Sequence, residues 1–156
     1  MNVLDLFAGT GALGFEAASR GAGGVVLVEQ NRQVFTQLQQ NKAYLLSKWP
    51  AAEGSAPSIQ VEAADVLACL KRLASAGKQF DLVALDPPFR SELMYAALPL
   101  LKNVLKTGGL VYAEWHENLF ADEAALCKAL NVQEIDALRH LKAGQVHAHL
   151  FALPAL

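Results

Sequence analysis

Val3-Leu4-Asp5-Leu6-Phe7-Ala8-Gly9-Thr10-Gly11-Ala12-Leu13-Gly14 decides the fold of this 156-residue chain. The apolar run to Phe7 reads as a short buried strand, and Gly9-x-Gly11-x-x-Gly14 as the turn that closes it onto a small-residue helix. Gly21 is a natural stop for that helix. Glycines here let backbone approach a ligand closely, and the helix N-terminus offers unpaired N–H groups. Glu29 falls twenty residues after Gly9, at the end of a second strand over Val25–Val28. A carboxylate in that place binds ribose hydroxyls. The glycine pattern alone also describes a tight turn with close helix–strand packing. With strand, helix and Glu29 in register, it predicts a nucleoside-containing cofactor.

Charge narrows the cofactor. A dinucleotide site leaves the glycine turn mostly uncharged because a pyrophosphate sits there. Asp5 lies four residues before Gly9, beside the turn. A carboxylate there repels pyrophosphate and suits a cationic amino-acid moiety. S-adenosyl-L-methionine carries an ammonium, a sulfonium, a ribose and an adenine, but no phosphate. The electrostatics favour it over NAD, which remains the cofactor of a rival oxidoreductase reading.

Downstream, strands and helices alternate. Val34, Leu38, Leu45 and Trp49 repeat at helical period, and residues 50–58 form a loop rich in Ala, Gly, Ser and Pro, the best candidate for mobility. Ile59 and Val61 mark a third strand, and Asp65 is placed to cap a helix holding Val66, Leu67, Leu70 and Leu73. Residues 80–86 form a fourth strand. Met94, Ala97, Leu98, Leu101, Val104 and Leu105 make a helical stripe that Pro99 should kink or divide and Gly108-Gly109 should end. A fifth strand covers Leu110–Trp115, and a helix holds Leu126 and Leu130. Val132–Leu141 and Val146–Leu153 then form a hairpin about residues 142–145. The pattern predicts an α/β fold with a mainly parallel sheet, one domain over residues 1–156 and no repeat.

Asp86-Pro87-Pro88-Phe89 follows the fourth strand directly. An acid, two rigid prolines and an aromatic ring at a strand exit suit acceptance of hydrogen bonds from an amino group and stacking on a planar base. In isolation the same residues also describe a proline turn with Phe89 in the core. His147 and His149 share one strand face, and two ligands make no zinc site; they are expected on an exposed face. Glu114-Trp115-His116-Glu117 leaves the fifth strand on the ligand-binding side of such sheets, either lining the substrate pocket or serving as a plain loop. Arg90, next to Phe89, is placed either to meet a substrate phosphate or, as expected, to stand as a solvated loop residue.

Composition sets outer bounds. Apolar residues make up 53% of the chain and charged residues 18%, with a net charge of −2. No apolar run matches a membrane span, and a basic face of the kind nucleic-acid binders carry is not evident from the balance. Cys69 and Cys127 lack metal spacing and read as reduced core thiols. The expectation is a cytoplasmic protein without leader, membrane anchor or metal.

Asp5-Leu6-Phe7-Ala8-Gly9-Thr10-Gly11, Glu29, Ala64-Asp65 and Asp86-Pro87-Pro88-Phe89 resemble the successive motifs of class I S-adenosylmethionine-dependent methyltransferases. The fuller run from Leu4 to Ala17, with Ala143-Gly144-Gln145-Val146, is similar to the RsmD family of bacterial 16S rRNA guanine-N2 methyltransferases. The resemblance implies a Rossmann-like fold: a seven-stranded, mainly parallel sheet with an antiparallel C-terminal hairpin strand and helices on both faces. It implies that Asp5, Gly9 and Gly11 line the methionine end and Glu29 takes the ribose hydroxyls. Asp65 would accept the adenine amino group with Val66 beside the ring, and Phe7, Ala8, Gln30 and Asp86 complete the cofactor set. Asp86 and the Pro87 carbonyl would accept the two hydrogens of the guanine amine, Pro88 holding the loop and Phe89 stacking on the base. Neither cysteine is placed for a covalent intermediate.

The implied partner is 16S rRNA or the assembled 30S subunit. Family members carry a basic N-terminal extension that this chain, starting at the first strand, lacks, so weakened RNA binding is expected of these residues alone. The rivals are methylation of another amine (adenine N6 in DNA or a protein glutamine) and a cofactor-binding module without activity.

Overall fold

The computed structural model describes residues 1–50, 52 and 54–154. Strands β1 (Asn2–Asp5), β2 (Gly24–Glu29), β3 (Ser58–Ala63), β4 (Phe80–Leu85), β5 (Leu105–Trp115), β6 (Asp136–Ala143) and β7 (Val146–Ala152) form one sheet in the order β3-β2-β1-β4-β5-β7-β6. Pairing is parallel from β3 through β5 and antiparallel for β5–β7 and β7–β6. The intervening helices are α1 (Ala12–Ser19), α2 (Arg32–Ser47), α3 (Val66–Ser75), α4 (Leu93–Ala97) and α5 (Glu123–Leu130). The Rossmann-like architecture with its antiparallel end is as expected from the sequence.

Alternation along each strand divides the core into two layers. Leu4, Leu6, Val28, Val83, Leu85, Val111 and Phe151 join Leu70, Met94, Leu101 and Leu130 in one layer. Val3, Val25 and Leu27 meet Ala18 of α1 and Leu38 of α2 in the other. Each such leucine or valine contributes about 1.5–3 kcal/mol on full burial. The helices start where side chains satisfy their first N–H groups. Asn31 Oδ1 accepts from the Gln33 and Val34 amides, Asp65 from Ala68, and Asp122 from Ala125.

Several boundaries differ from the sequence expectation. The stripe from Met94 to Leu105 is buried throughout, but Pro99 sits in a 3₁₀ segment, Leu98–Asn103, that takes over from α4. Gly108-Gly109 lies inside β5 instead of ending a helix. The β4–β5 register shifts between Phe80 and Leu82, and the positive φ of Gly108 (+73°) accommodates that irregularity in β5. Val132 does not open β6: its N–H closes onto the Cys127 carbonyl while Asn131 adopts a left-handed φ of 56°, so both belong to the C-terminal cap of α5. Trp49 falls beyond the end of α2. Of the loop at 50–58, residues 51 and 53 lie outside the described residues.

His149 corrects the expectation of an exposed face. It shares a face with His147, as alternation requires, yet it is 0% exposed. Its Nε2 accepts the Leu119 N–H at 2.9 Å, and its Nδ1 lies 3.0 Å from the Ala113 carbonyl. These partners select the neutral Nδ1–H tautomer, and burial holds the imidazole below its usual range. His149 thereby ties β7 to β5 and to the segment that follows it.

Cys69 is buried and Cys127 partly so, both free thiols. Burial pushes the Cys69 thiol up to about 11, which removes thiolate reactivity near neutral pH.

Gly14 makes the close helix–strand contact that the glycine motif implied. A Cβ on it would collide with the Leu27 side chain and come within 3.2 Å of Val25 Cγ1. Helix propensity favours Gly14→Ala by about 1 kcal/mol, but overpacking in a closed layer costs about 1–3 kcal/mol, so the variant should be less stable. Urea denaturation of the two proteins checks the sign.

Candidate active site

Parallel register brings acids together at one end of the sheet. Asp5 pairs with Leu27 of β2 and with Ala84 of β4; Ala84 pairs with Tyr112 and Leu85 with Ala113 of β5. Two residues further on each strand come Glu29, Asp86 and Glu114, all on the face Asp5 occupies. Asp86 and Glu114 are therefore lateral neighbours across β4 and β5. The cluster stands at the carboxyl ends of β1 and β4, where the chain reverses its winding direction and open α/β sheets bind ligands.

The glycine turn forms the wall beside β1. The Ala8 N–H donates to the Val28 carbonyl at 2.9 Å and Gly11 N–H to the Ala8 carbonyl at 2.9 Å. Gly11 has φ +97°, and a Cβ there would run into the Phe15 ring and within 2.8 Å of Leu38. A Cβ on Gly9 would meet nothing within 4 Å, so Gly9 borders open space. Gly11 precedes α1 without any side-chain cap, and of the first amides of that helix the Gly14 N–H acts on Asp5. Asn41 of α2 holds the turn, its Nδ2 donating to the Thr10 carbonyl at 2.8 Å.

Asp5 is 2% exposed. Burial pushes its carboxyl up to about 7; the Phe7 and Gly14 amides pull the other way, and the charges of Asp86 and Glu29 push further up. Glu29 is raised by burial, and its Oε2 is buried without a hydrogen-bond partner. Asp86 opens to solvent at its rim, yet partial burial, the Glu114 charge and a hydrogen bond to Glu114 raise it to about 6. The Tyr112 hydroxyl donates to Glu114 Oε1 at 2.6 Å, and its own ionisation is pushed up by burial and by that contact. Among the described residues, no salt bridge joins Asp5, Glu29 or Asp86 to a cation. Such a crevice attracts a cation and hydrogen-bond donors and rejects phosphate.

The remaining residues named from the sequence surround this centre at different depths. Phe7 is half-buried and Ala8 buried; Gln30 is exposed. Asp65 is exposed and caps α3 through Oδ2, while Val66 turns into the core at 1% exposure. Pro87 is buried and Pro88 exposed, the Pro88 carbonyl accepting the Ser91 N–H at 3.0 Å. Phe89 is 63% exposed, which removes the reading of it as a core residue. The Arg90 guanidinium lies over its ring at 5.2 Å, and Arg90 itself holds a left-handed φ of 56°. His116 lies 5.6 Å from Phe89 and 4.5 Å from Trp115, so the segment after β5 does line this region.

Sequence reading named Glu114 only as part of a segment and overlooked Tyr112 and Asn41. The first two have a signal: they alternate on β5 and reach the site in register with Ala84 and Asp86. Asn41 has none, being one polar residue in a polar helix.

The buried acid has a consequence for stability. The Asp5 carboxyl titrates near 7 folded and near 3.8 unfolded, so its ionisation opposes folding above pH 7 and the penalty vanishes as pH falls. Relative to Asp5→Asn, the wild-type chain should gain about 2 kcal/mol between pH 8 and pH 5. Taking the difference removes the opposing His149 contribution, and urea titrations at four pH values measure it.

Comparison with known proteins agrees with this geometry. The family model described as Conserved hypothetical protein 95 matches residues 1–152. Ribosomal RNA small subunit methyltransferase D of Escherichia coli is 38% identical over 113 residues, covering 71% of this chain and 51% of that protein. The chain thus spans about half the length of the curated relatives it matches. The solved structure of Escherichia coli yhhF has a TM-score of 0.73 at 30% identity and covers 99% of this chain and 76% of that one. A T. thermophilus 16S rRNA N2 methyltransferase (RsmC), solved in complex with AdoMet and guanosine, has a TM-score of 0.67 at 26% identity, covering 99% and 37%. With a family model across nearly its whole length and these relatives beside it, the chain belongs to the Conserved hypothetical protein 95 family, the RsmD family of methyltransferases.

Proposed function

We propose that this chain is an S-adenosylmethionine-dependent N-methyltransferase acting on guanine N2 of 16S rRNA. The observation that carries this reading is the crevice of uncompensated carboxyls at the glycine turn, opening onto Asp86-Pro87-Pro88-Phe89. The cofactor fits the residues present. Glu29 Oε2 is an unpartnered acceptor suited to ribose hydroxyls, Gly9 borders free space, and Asp5 with Asp86 balances positive charge. Asp65 keeps a second carboxylate oxygen for an adenine amino group. Bound there, S-adenosylmethionine supplies an electrophilic methyl group on a sulfonium sulfur.

The chain's own residues orient the acceptor. An exocyclic guanine amine is a poor nucleophile because its lone pair is delocalised into the ring. Asp86 and the Pro87 carbonyl accept its two hydrogens, which draws the nitrogen toward tetrahedral geometry and frees the lone pair. The two prolines fix those acceptors before the base arrives. Phe89, exposed beside Arg90, offers a stacking face to a base drawn out of its helix. The RNA substrate and the guanine choice rest on the relatives, whose names include rRNA small subunit methyltransferase and 16S rRNA N2 methyltransferase.

Methyl transfer from a radiolabelled donor to undermethylated 30S subunits tests the substrate. Label in adenine or protein instead of N2-methylguanine would refute the choice of acceptor, and calorimetric binding of NAD but not S-adenosylhomocysteine would refute the cofactor. Asp86→Ala should keep S-adenosylhomocysteine affinity within about threefold while turnover falls by about 10²-fold or more. Equal loss of both would make Asp86 a structural residue.

A further inference from the structure

Asp86 does not act alone. The β4–β5 register, continued past Ala84–Tyr112 and Leu85–Ala113, sets it beside Glu114, whose charge acts on it, and the Tyr112 hydroxyl holds Glu114 Oε1 at 2.6 Å. Two carboxyls placed side by side do not ionise independently, because the charge of one acts on the other. Nothing in the orientation of the amine requires Glu114 or Tyr112, so the methyltransferase reading leaves both without a role.

We propose that Glu114, oriented by Tyr112, is a positioning residue that sets its carboxylate against Asp86 and so equips Asp86 to take up the proton released when the acceptor amine is methylated. This rests on the methyltransferase reading above. As the N–C bond forms, the donor's C–S bond breaks and its electron pair stays on sulfur, turning sulfonium into neutral thioether. The amine nitrogen then carries one proton too many, and that proton passes to the Asp86 carboxylate. Because Asp86 is open to solvent at its rim, the proton leaves to water before the next turnover.

The arrangement suits this task in three ways. The Glu114 charge and partial burial raise Asp86 from 3.8 to about 6, making it a stronger base than an ordinary aspartate while leaving it ionised at neutral pH. Tyr112 donates to Glu114 and not to Asp86, which fixes the Glu114 carboxyl in place and leaves the Asp86 oxygens free for the amine. The other groups around the pair do not supply a competing cation at the carboxyls. Asp5 from β1 and Glu29 from β2 are acids, β7 presents Ala148 opposite Glu114, and Arg90 and His116 are engaged with the Phe89 ring in the loops.

Carboxyl ¹³C NMR titration of the free chain reads the pair directly, without cofactor or RNA. Asp86 should titrate near 6 in the wild type and at least about one pH unit lower in Glu114→Gln, with a smaller shift in the same direction in Tyr112→Phe. The acidic limb of the pH profile for methyl transfer should move with it, and the plateau rate should fall about tenfold. Tyr112→Phe leaves every carboxyl in place and carries the test if Glu114→Gln does not fold. S-adenosylhomocysteine calorimetry on the same proteins separates the outcomes. Binding intact with an unmoved Asp86 midpoint, or a rate loss equal at all pH values, overturns this role for Glu114 and leaves the methyltransferase reading standing. Failure of the wild-type chain to bind overturns both.

Discussion

The parallel register of β1, β4 and β5 is the constraint on which the site depends. It sets Asp5 level with Ala84 and Tyr112 and so carries Asp86 and Glu114 to the same edge. A one-residue slip between β4 and β5 would turn Asp86 and Glu114 to opposite faces and dissolve the pair. What prevents the slip is apolar. Val83, Leu85, Val111 and Ala113 point the other way into the layer with Met94 and Leu101, and they cannot leave it without exposing a buried surface. The chemistry on one face is held in register by the packing on the other.

That packing also carries a burden. Asp5 and Asp86 are pushed up, and Glu29 stands with an unpartnered oxygen, so in the free chain the ligand end of the sheet opposes folding above neutral pH. The two apolar layers outweigh it. Gly14 lets α1 close on Leu27, and the Phe7 and Gly14 amides give Asp5 part of the hydration it has lost. A site prepared for a cation is unstable without one, and a cation that binds there recovers the lost stabilisation as affinity.

Much of this was legible in the sequence because local rules point to single answers. Gly9-x-Gly11-x-x-Gly14 followed by Glu29 gives strand, turn, helix and second strand with little ambiguity, and Asp86-Pro87-Pro88-Phe89 marks a strand exit. The failures share a cause. Gly108-Gly109 is equally good chemistry for a helix stop and for an irregular stretch of strand, and only the partner strand decides. Val132 looks like the first residue of β6 until Asn131 and Cys127 claim it for a helix cap. His149 reads as polar and exposed because alternation gives a face but not what covers it; Phe120, 5.0 Å away, covers it. Tyr112 and Glu114 were hidden for the same reason: their importance is lateral, and register is a property of pairs of strands.

The division of labour across the sheet follows from the same geometry. β1 and β2 contribute Asp5, the glycine turn and Glu29, whose carboxyls act on anything placed against them; β4 and β5 lead to Asp86, Glu114 and Tyr112, a second group of acids steadied by a hydroxyl. The two halves communicate through charge, since Asp86 raises Asp5. From the other side, His149 ties the β6–β7 hairpin to Ala113 and to the Leu119 amide, one before and one after Glu114 in the chain.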